Sequence, residues 1–198
     1  MGTTLLVILA IIAVAVIWLI GMYNRLVGLR NQVKNAWSQI DVQLQRRYDL
    51  IPNLVETVKG YMTYEKGTLE AVIQARNQAV AARQTVEQNG GPTGDASIKP
   101  LLAAESTLRS SLGNFFALAE NYPQLKASET MQRLQEELSS TENKIAFSRQ
   151  AYNDQAMAYN TAQQVFPTVL VAAAFGHHPA ELYEVQDEQA RKSVKVAF

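Results

Sequence analysis

Cysteine is absent from the 198 residues. A disulfide framework, a thiolate metal site and a cysteine nucleophile are thereby excluded. An excess of one charge is also missing: Lys plus Arg number 18, Asp plus Glu number 18, and the net charge is zero. A nucleic-acid partner, which needs a basic excess or a basic face, is not expected. Histidine is confined to the adjacent pair His177 and His178. Neighbouring positions point apart, whereas a helical zinc pair needs i, i+4 spacing with a glutamate. No glycine-rich loop follows a strand, and no serine sits in an elbow motif or beside a partnered histidine. The carboxylates, among them Glu70, Glu136, Glu137 and Glu142, are scattered at positions that read as solvated helix surface. No catalytic, cofactor-binding or metal-ligating residue is assigned, no cofactor is expected, and the chain is not expected to be an enzyme. Proline and glycine are sparse, while Ala, Gln, Leu and Glu, which lose little side-chain freedom in a helix, dominate the middle. The composition reads as all-α.

The one long apolar run is Thr3 to Met22, TTLLVILAIIAVAVIWLIGM, with no charge and no proline. Twenty helical residues rise about 30 Å, the thickness of a bilayer's hydrocarbon core. A soluble helix is rarely apolar on every face. A cleaved signal peptide needs a basic start and a small-x-small site, and neither is present. The run is therefore read as a retained transmembrane helix, with Trp18 and Tyr23 at the interface. Arg25, Arg30 and Lys34 follow it, and no Lys or Arg precedes it. The positive-inside rule then places the C-terminal side in the cytoplasm, with these three residues near anionic headgroups.

Beyond the anchor, apolar residues recur at steps of three and four: Leu26, Leu29, Val33, Trp37, Ile40, Leu44, Tyr48, Ile51, Val55, Val58, Met62. That spacing is a bundle or coiled-coil seam. Pro52 removes a backbone donor and is expected to kink or restart the helix, with Asp49 capping the restart. A second helix is expected over about 65–88, broken by Asn89-Gly90-Gly91-Pro92-Thr93-Gly94. A third is expected over about 98–122, ended by Pro123. A fourth is capped by Ser128 and reaches about Phe166. Two helices are long and two shorter, and short connections make neighbours antiparallel. The distal half is expected to hold four helices and the membrane-proximal half only the first and fourth.

FPTVLVAAAF, residues 166–175, is too short to span a bilayer. Two readings stay open. It forms a short helix packed on residues 26–37 and capped by Gly176, or its apolar residues Phe166, Val169, Val171 and Phe175 face the membrane or a second copy. The organisation expected is an anchor at 1–22, an antiparallel bundle at 23–176 and a weakly structured tail at 177–198, whose SVKVAF ending alternates as an extended segment does.

Two polar clusters interrupt the seams. One holds Asp41, Arg46, Arg47, Tyr48, Asp49 and Pro52; the other holds Glu142, Asn143, Lys144, Arg149, Asn153, Asp154 and Asn160. Polar residues near a seam usually set helix register, and that reading is weighed above a recognition patch. The stretch from Trp37 to Tyr61, WSQIDVQLQRRYDLIPNLVETVKGY, resembles the signature of the LemA family. So does ENKIAFSRQAYND at 142–154, with Tyr159-Asn160-Thr161 and Phe166-Pro167 after it. Members often carry a histidine where this chain has Tyr64. The resemblance implies a bacterial inner-membrane protein with a helical-bundle domain and no enzymatic activity. It also implies association with envelope stress and quality control, often beside membrane metalloproteases, and relatives in magnetosome formation. The reading reached is a membrane-anchored scaffold or adaptor that self-assembles or engages other membrane proteins. The alternatives are a lipid-binding or membrane-remodelling protein acting through Arg25, Arg30, Lys34 and residues 166–175, and a sensor signalling across the span.

Overall fold

The computed structural model describes residues 2–62, 64–94 and 97–184. Among them, six α-helices and one 3-10 turn occur: α1 (Gly2–Val58), α2 (Lys66–Gln88), the turn Gly91–Thr93, α3 (Lys99–Ala119), α4 (Pro123–Lys126), α5 (Glu129–Gln164) and α6 (Thr168–Ala174). The chain is all-α. The expected tail ending, SVKVAF, lies outside the described residues.

α1 is one helix of 57 residues, about 85 Å long at 1.5 Å per residue. Its first third is apolar on every face, long enough to cross a membrane, and none of that stretch is buried against the rest of the chain. From Leu26 onward the same helix carries a buried stripe: Leu26, Val33, Trp37, Ile40, Leu44, Tyr48, Ile51, Leu54 and Val58. The steps of seven, four and three keep one face turned to its neighbours.

Pro52 does not restart the helix; α1 continues through it to Val58. The missing proline N–H leaves the Tyr48 carbonyl, its i−4 acceptor, without the usual bond. Arg76 of α2 supplies a substitute, donating from Nε to that carbonyl at 3.1 Å. Asp49, expected to cap a restart, lies inside the helix and accepts from Gln45 Nε2 at 2.7 Å.

α1 packs along α5, α2 packs along α3, and the turn Gly91–Thr93 touches α1. Successive long helices run in opposite directions. Arg47 of α1 meets Glu142 of α5, and ten residues back along α1 Trp37 meets Tyr152. α2 descends further than the lengths suggested. Arg83 reaches Asp41, and the Thr93 carbonyl accepts from Arg30 Nη2 at 3.4 Å. The expected membrane-proximal half with only two helices is therefore not seen. α2 and its 3-10 turn cover α1 down to Arg30, because the turn extends the chain's descent past Gln88. α3 ends at Ala119, three residues before the expected end, and Pro123 opens the one-turn α4. Ser128 occupies the N-cap position of α5, but its hydroxyl makes no cap bond.

α6 packs on both α1 and α5. Gly176 closes it with a φ of +65°, a left-handed conformation that costs a glycine little. His177 N–H reaches back to the Ala172 carbonyl at 3.0 Å, and Phe175 N–H to Val171 at 3.1 Å. This is the pattern of a glycine-terminated helix end. The chain then turns along α5. Although it is weakly patterned in sequence, the first part of the tail is docked, with Ala180 and Tyr183 buried.

Candidate functional site

The first polar block lies where α1, α2, α3 and α5 meet, and it faces three partners. Asp41 and Gln45 point to α2. Arg83 donates to Asp41 Oδ1 at 2.5 Å and Oδ2 at 2.7 Å, to Gln45 Oε1 at 2.6 Å and to Glu87 at 2.8 Å. The hydrogen bond to Asp41 holds the Arg83 guanidinium in its charged form, raising its pKa against partial burial. Arg47 points inward. It is 4% exposed and pairs with Glu105 of α3 and, at 2.5 Å, with Glu142 of α5. Glu142 also pairs with Arg109. Burial lowers the Arg47 pKa, chiefly by desolvating the guanidinium. The neighbouring Tyr48 hydroxyl donates to Glu105. Burial pushes that phenol up to about 12, with Arg47 acting in the opposite sense. Arg46 faces outward, 3.7 Å from Glu137, and Asp49 stays with Gln45 on α1.

The second block holds the tail. The Asn160 amide accepts from Ala180 N–H at 2.8 Å and donates to the Ala180 carbonyl at 2.8 Å. One heptad away, Asn153 does the same with Tyr183, at 2.8 Å and 3.2 Å. Seven helical residues rise about 10.5 Å and three extended residues span about 10 Å. The two asparagine amides therefore act as rungs matched to an extended strand. Tyr152 donates to the Glu181 carbonyl at 2.5 Å. The Glu181 carboxylate accepts from Ile98 N–H at 2.7 Å and from Ser97 Oγ, which caps the start of α3 with a negative charge. Arg149 lies over the Tyr183 ring at 6.0 Å, and Trp37 packs against that ring at 6.4 Å.

At the base of the rod, the Tyr23 ring lies 4.8 Å from Phe175 and 6.2 Å from His177. Tyr159 Oη and His177 Nδ1 are 2.9 Å apart. Burial lowers the His177 pKa, and Arg30 adds to the effect. Of the candidate assembly residues, Val171 is buried on the inner face of α6 while Phe166 and Phe175 are largely exposed and Val169 is partly so. Arg25 and Lys34 are exposed, and Arg30 is half-buried against Thr93. Trp18 is exposed on the apolar stretch.

Among the described residues no group of three metal-capable side chains is found. Two shallow grooves run along the outer face of α5, both bordered by Asn143 and the exposed Phe147. Glu105 and Arg83, the partners that make the first block a network, do not stand out among the charged residues of the sequence. One signal was present. Leu101, Leu108, Leu112 and Phe115 form a seam, and Glu105 fills the position it skips, a carboxylate where an apolar residue belongs. Asn153 and Asn160 stood out as polar residues near a seam, but neither their partner nor the role of Glu181 had a signal, since both depend on where the tail returns.

The chain is similar to known proteins. Magnetosome protein MamQ of Magnetospirillum gryphiswaldense is 26% identical over 179 residues, covering 81% of this chain and 64% of that protein. Magnetosome protein MamQ 2 of Paramagnetospirillum magneticum is 27% identical over 180 residues, covering 82% and 64%. Protein LemA of Metamycoplasma hominis is 27% identical over 177 residues, covering 89% and 73%. The chain thus spans less than two thirds of the length of the magnetosome relatives. The LemA family model matches residues 36–198, taking in the Arg47 network, the asparagine rungs and α6, and so the chain belongs to the LemA family.

Proposed function

We propose that this protein is a membrane-anchored, non-enzymatic scaffold or adaptor that presents a rigid helical bundle to other membrane proteins or to copies of itself. The observation that carries the reading is the unbroken course of α1. One helix, Gly2–Val58, serves both as the apolar stretch and as the spine of the core. The bundle is then coupled to the bilayer without a flexible joint, which suits a protein that holds partners at a fixed height and angle. The internal pairing of Arg47, Arg83, Asn153 and Asn160 fits the same role, since these groups hold helices together. Arg25, Arg30 and Lys34, all on the C-terminal side of the apolar stretch, support a cytoplasmic bundle by the positive-inside rule, and the family resemblance supports a bacterial inner membrane. A magnetosome protein among the relatives, by its name, fits work at a membrane. Membrane proteases and further copies of the chain are the partners proposed.

A photo-crosslinking residue at Phe147, which is 76% exposed, tests this directly. Full-length protein purified in mild detergent after irradiation in cells is expected to carry a discrete adduct, a second copy or another membrane protein. Recovery of the monomer alone, from position 147 and from a second site at Glu136, refutes the adaptor reading. Orientation is tested separately, since the chain has no cysteine of its own. Tyr64→Cys is expected to react with an impermeant maleimide only from the cytoplasmic side.

A further inference from the structure

We propose that α6 and its flanks form a second membrane contact: a wedge of Phe166, Leu170 and Phe175 that inserts into the headgroup and upper acyl region of the bilayer that holds α1. The inference rests on the reading of Thr3–Met22 as a span and adds an interaction surface to it. Three observations converge. The first is height. Trp37 lies against Tyr152, and α1 and α5 are antiparallel. Fourteen residues back along α1 and fourteen on from Tyr152 lie Tyr23 and Phe166, at the same level. The Tyr23 ring is also 4.8 Å from Phe175. Both flanks of α6 therefore sit at the level of the residue that immediately follows the apolar stretch, so the helix lies across the base of the bundle and not along it.

The second observation is the division of its faces. Thr168, Val171 and Ala172 are buried against α1 and α5. Phe166, Leu170 and Phe175 are 81%, 64% and 63% exposed. Three large apolar side chains in ten residues turn to the outside at the one height where the outside is lipid. The third is continuity. The exposed surface of Leu19 and Ile20 on α1, four and three residues before Tyr23 and so on its face, runs through Tyr23 to Phe175 with no charged side chain between them along α1. Arg25 lies two residues, about 3 Å, above Tyr23 and is exposed, where it meets phosphate while the rings lie deeper. A bilayer satisfies both the apolar rings and the basic rim. A second copy seated on this face would bring two sets of like charges together.

The Gly176 turn and the His177–Tyr159 pair clamp the end of α6 to α5. The wedge therefore fixes the tilt of the whole bundle, because two points on one rigid body touch the membrane.

The test uses the full-length chain in nanodiscs of phosphatidylcholine and phosphatidylglycerol, spin-labelled at single introduced cysteines. Leu170→Cys and Phe166→Cys probe the wedge, Leu9→Cys the span, and Tyr64→Cys the distal end. At one chain per disc, both wedge labels are expected to lose accessibility to a water-soluble nickel chelate and gain accessibility to oxygen, as Leu9→Cys does. Wedge labels as open to nickel as Tyr64→Cys overturn the proposal while the span stands. Protection that appears only at several chains per disc, with dipolar broadening between labels, overturns it in favour of a second copy. Nickel access at Leu9→Cys overturns the span and the wedge together. Circular dichroism melting of each labelled chain, unchanged from the parent, certifies the fold, and the two wedge sites guard against one label disturbing it.

Discussion

Replacing Arg47 with methionine removes the charge that holds α1 to both α3 and α5 while keeping much of the aliphatic bulk. Glu105, as buried as Arg47, is left with only the Tyr48 hydroxyl. Glu142 fares better, since it keeps Arg109 and is about a third exposed. Breaking a buried pair by deleting one member typically costs about 3–5 kcal/mol. Because Glu142 retains water and a partner, the lower end, about 3 kcal/mol, is expected here. For a domain of this size each kcal/mol moves the melting point by about 2–4 °C, giving a loss of about 6–12 °C. Circular dichroism melting of full-length protein in mild detergent measures it. Two controls separate charge from packing. Adding Glu105→Leu to Arg47→Met removes the stranded carboxylate and is expected to recover most of the loss, less about 1 kcal/mol for the Tyr48 hydroxyl. Lowering the pH should also narrow the gap between Arg47→Met and parent. A stranded buried carboxylate has a raised folded pKa, so its protonated form is favoured in the folded state and the deficit grows as pH rises. A single variant that melts within about 2 °C of the parent, less than one kcal/mol's worth, refutes the reasoning. So does a double variant less stable than the single one.

Arg76→Leu is expected to destabilise the parent but to do less harm beside Pro52→Ala, where an alanine N–H supplies the Tyr48 carbonyl. A coupling of about 1 kcal/mol in a double-mutant cycle followed by denaturant melting checks the substitution of one donor for another. Asn153→Ala together with Asn160→Ala removes four bonds to the tail backbone and is expected to speed hydrogen exchange at the Ala180 and Tyr183 amides while leaving α5 amides protected. For His177, burial and Arg30 depress the folded pKa, so the unfolded state binds the proton more readily and stability falls as pH drops through and below the ordinary histidine range. His177→Gln is expected to flatten that dependence, read from melting between about pH 5 and 8. Gly176→Ala, at a φ of +65°, is expected to lower stability by about 1 kcal/mol in the same melts.

The apolar run Thr3–Met22 and the three-four spacing from Leu26 onward were enough to mark the apolar stretch and the buried face of α1, because a helix's burial pattern is local and repeats every turn. The glycine-rich stretch at 89–94 and Pro123 placed the breaks between helices for the same reason. The sequence by itself also limited the chemistry: without cysteine, and with its two histidines adjacent, it had few ways to build a catalytic centre. What it did not determine was anything that depends on two distant segments meeting. Pro52 read locally as a break, yet α1 passes through it because Arg76, 24 residues on, supplies the missing donor. Arg47 and Asn153 read as polar residues near a seam. Only the packing of α3 and the return of the tail showed that one is enclosed by carboxylates and the other grips a backbone. Residues 166–175 stayed open between an inward and an outward face. The tertiary structure divides them, with Val171 inside and Phe166, Leu170 and Phe175 outside, since only the fold places that short helix at the level of Tyr23.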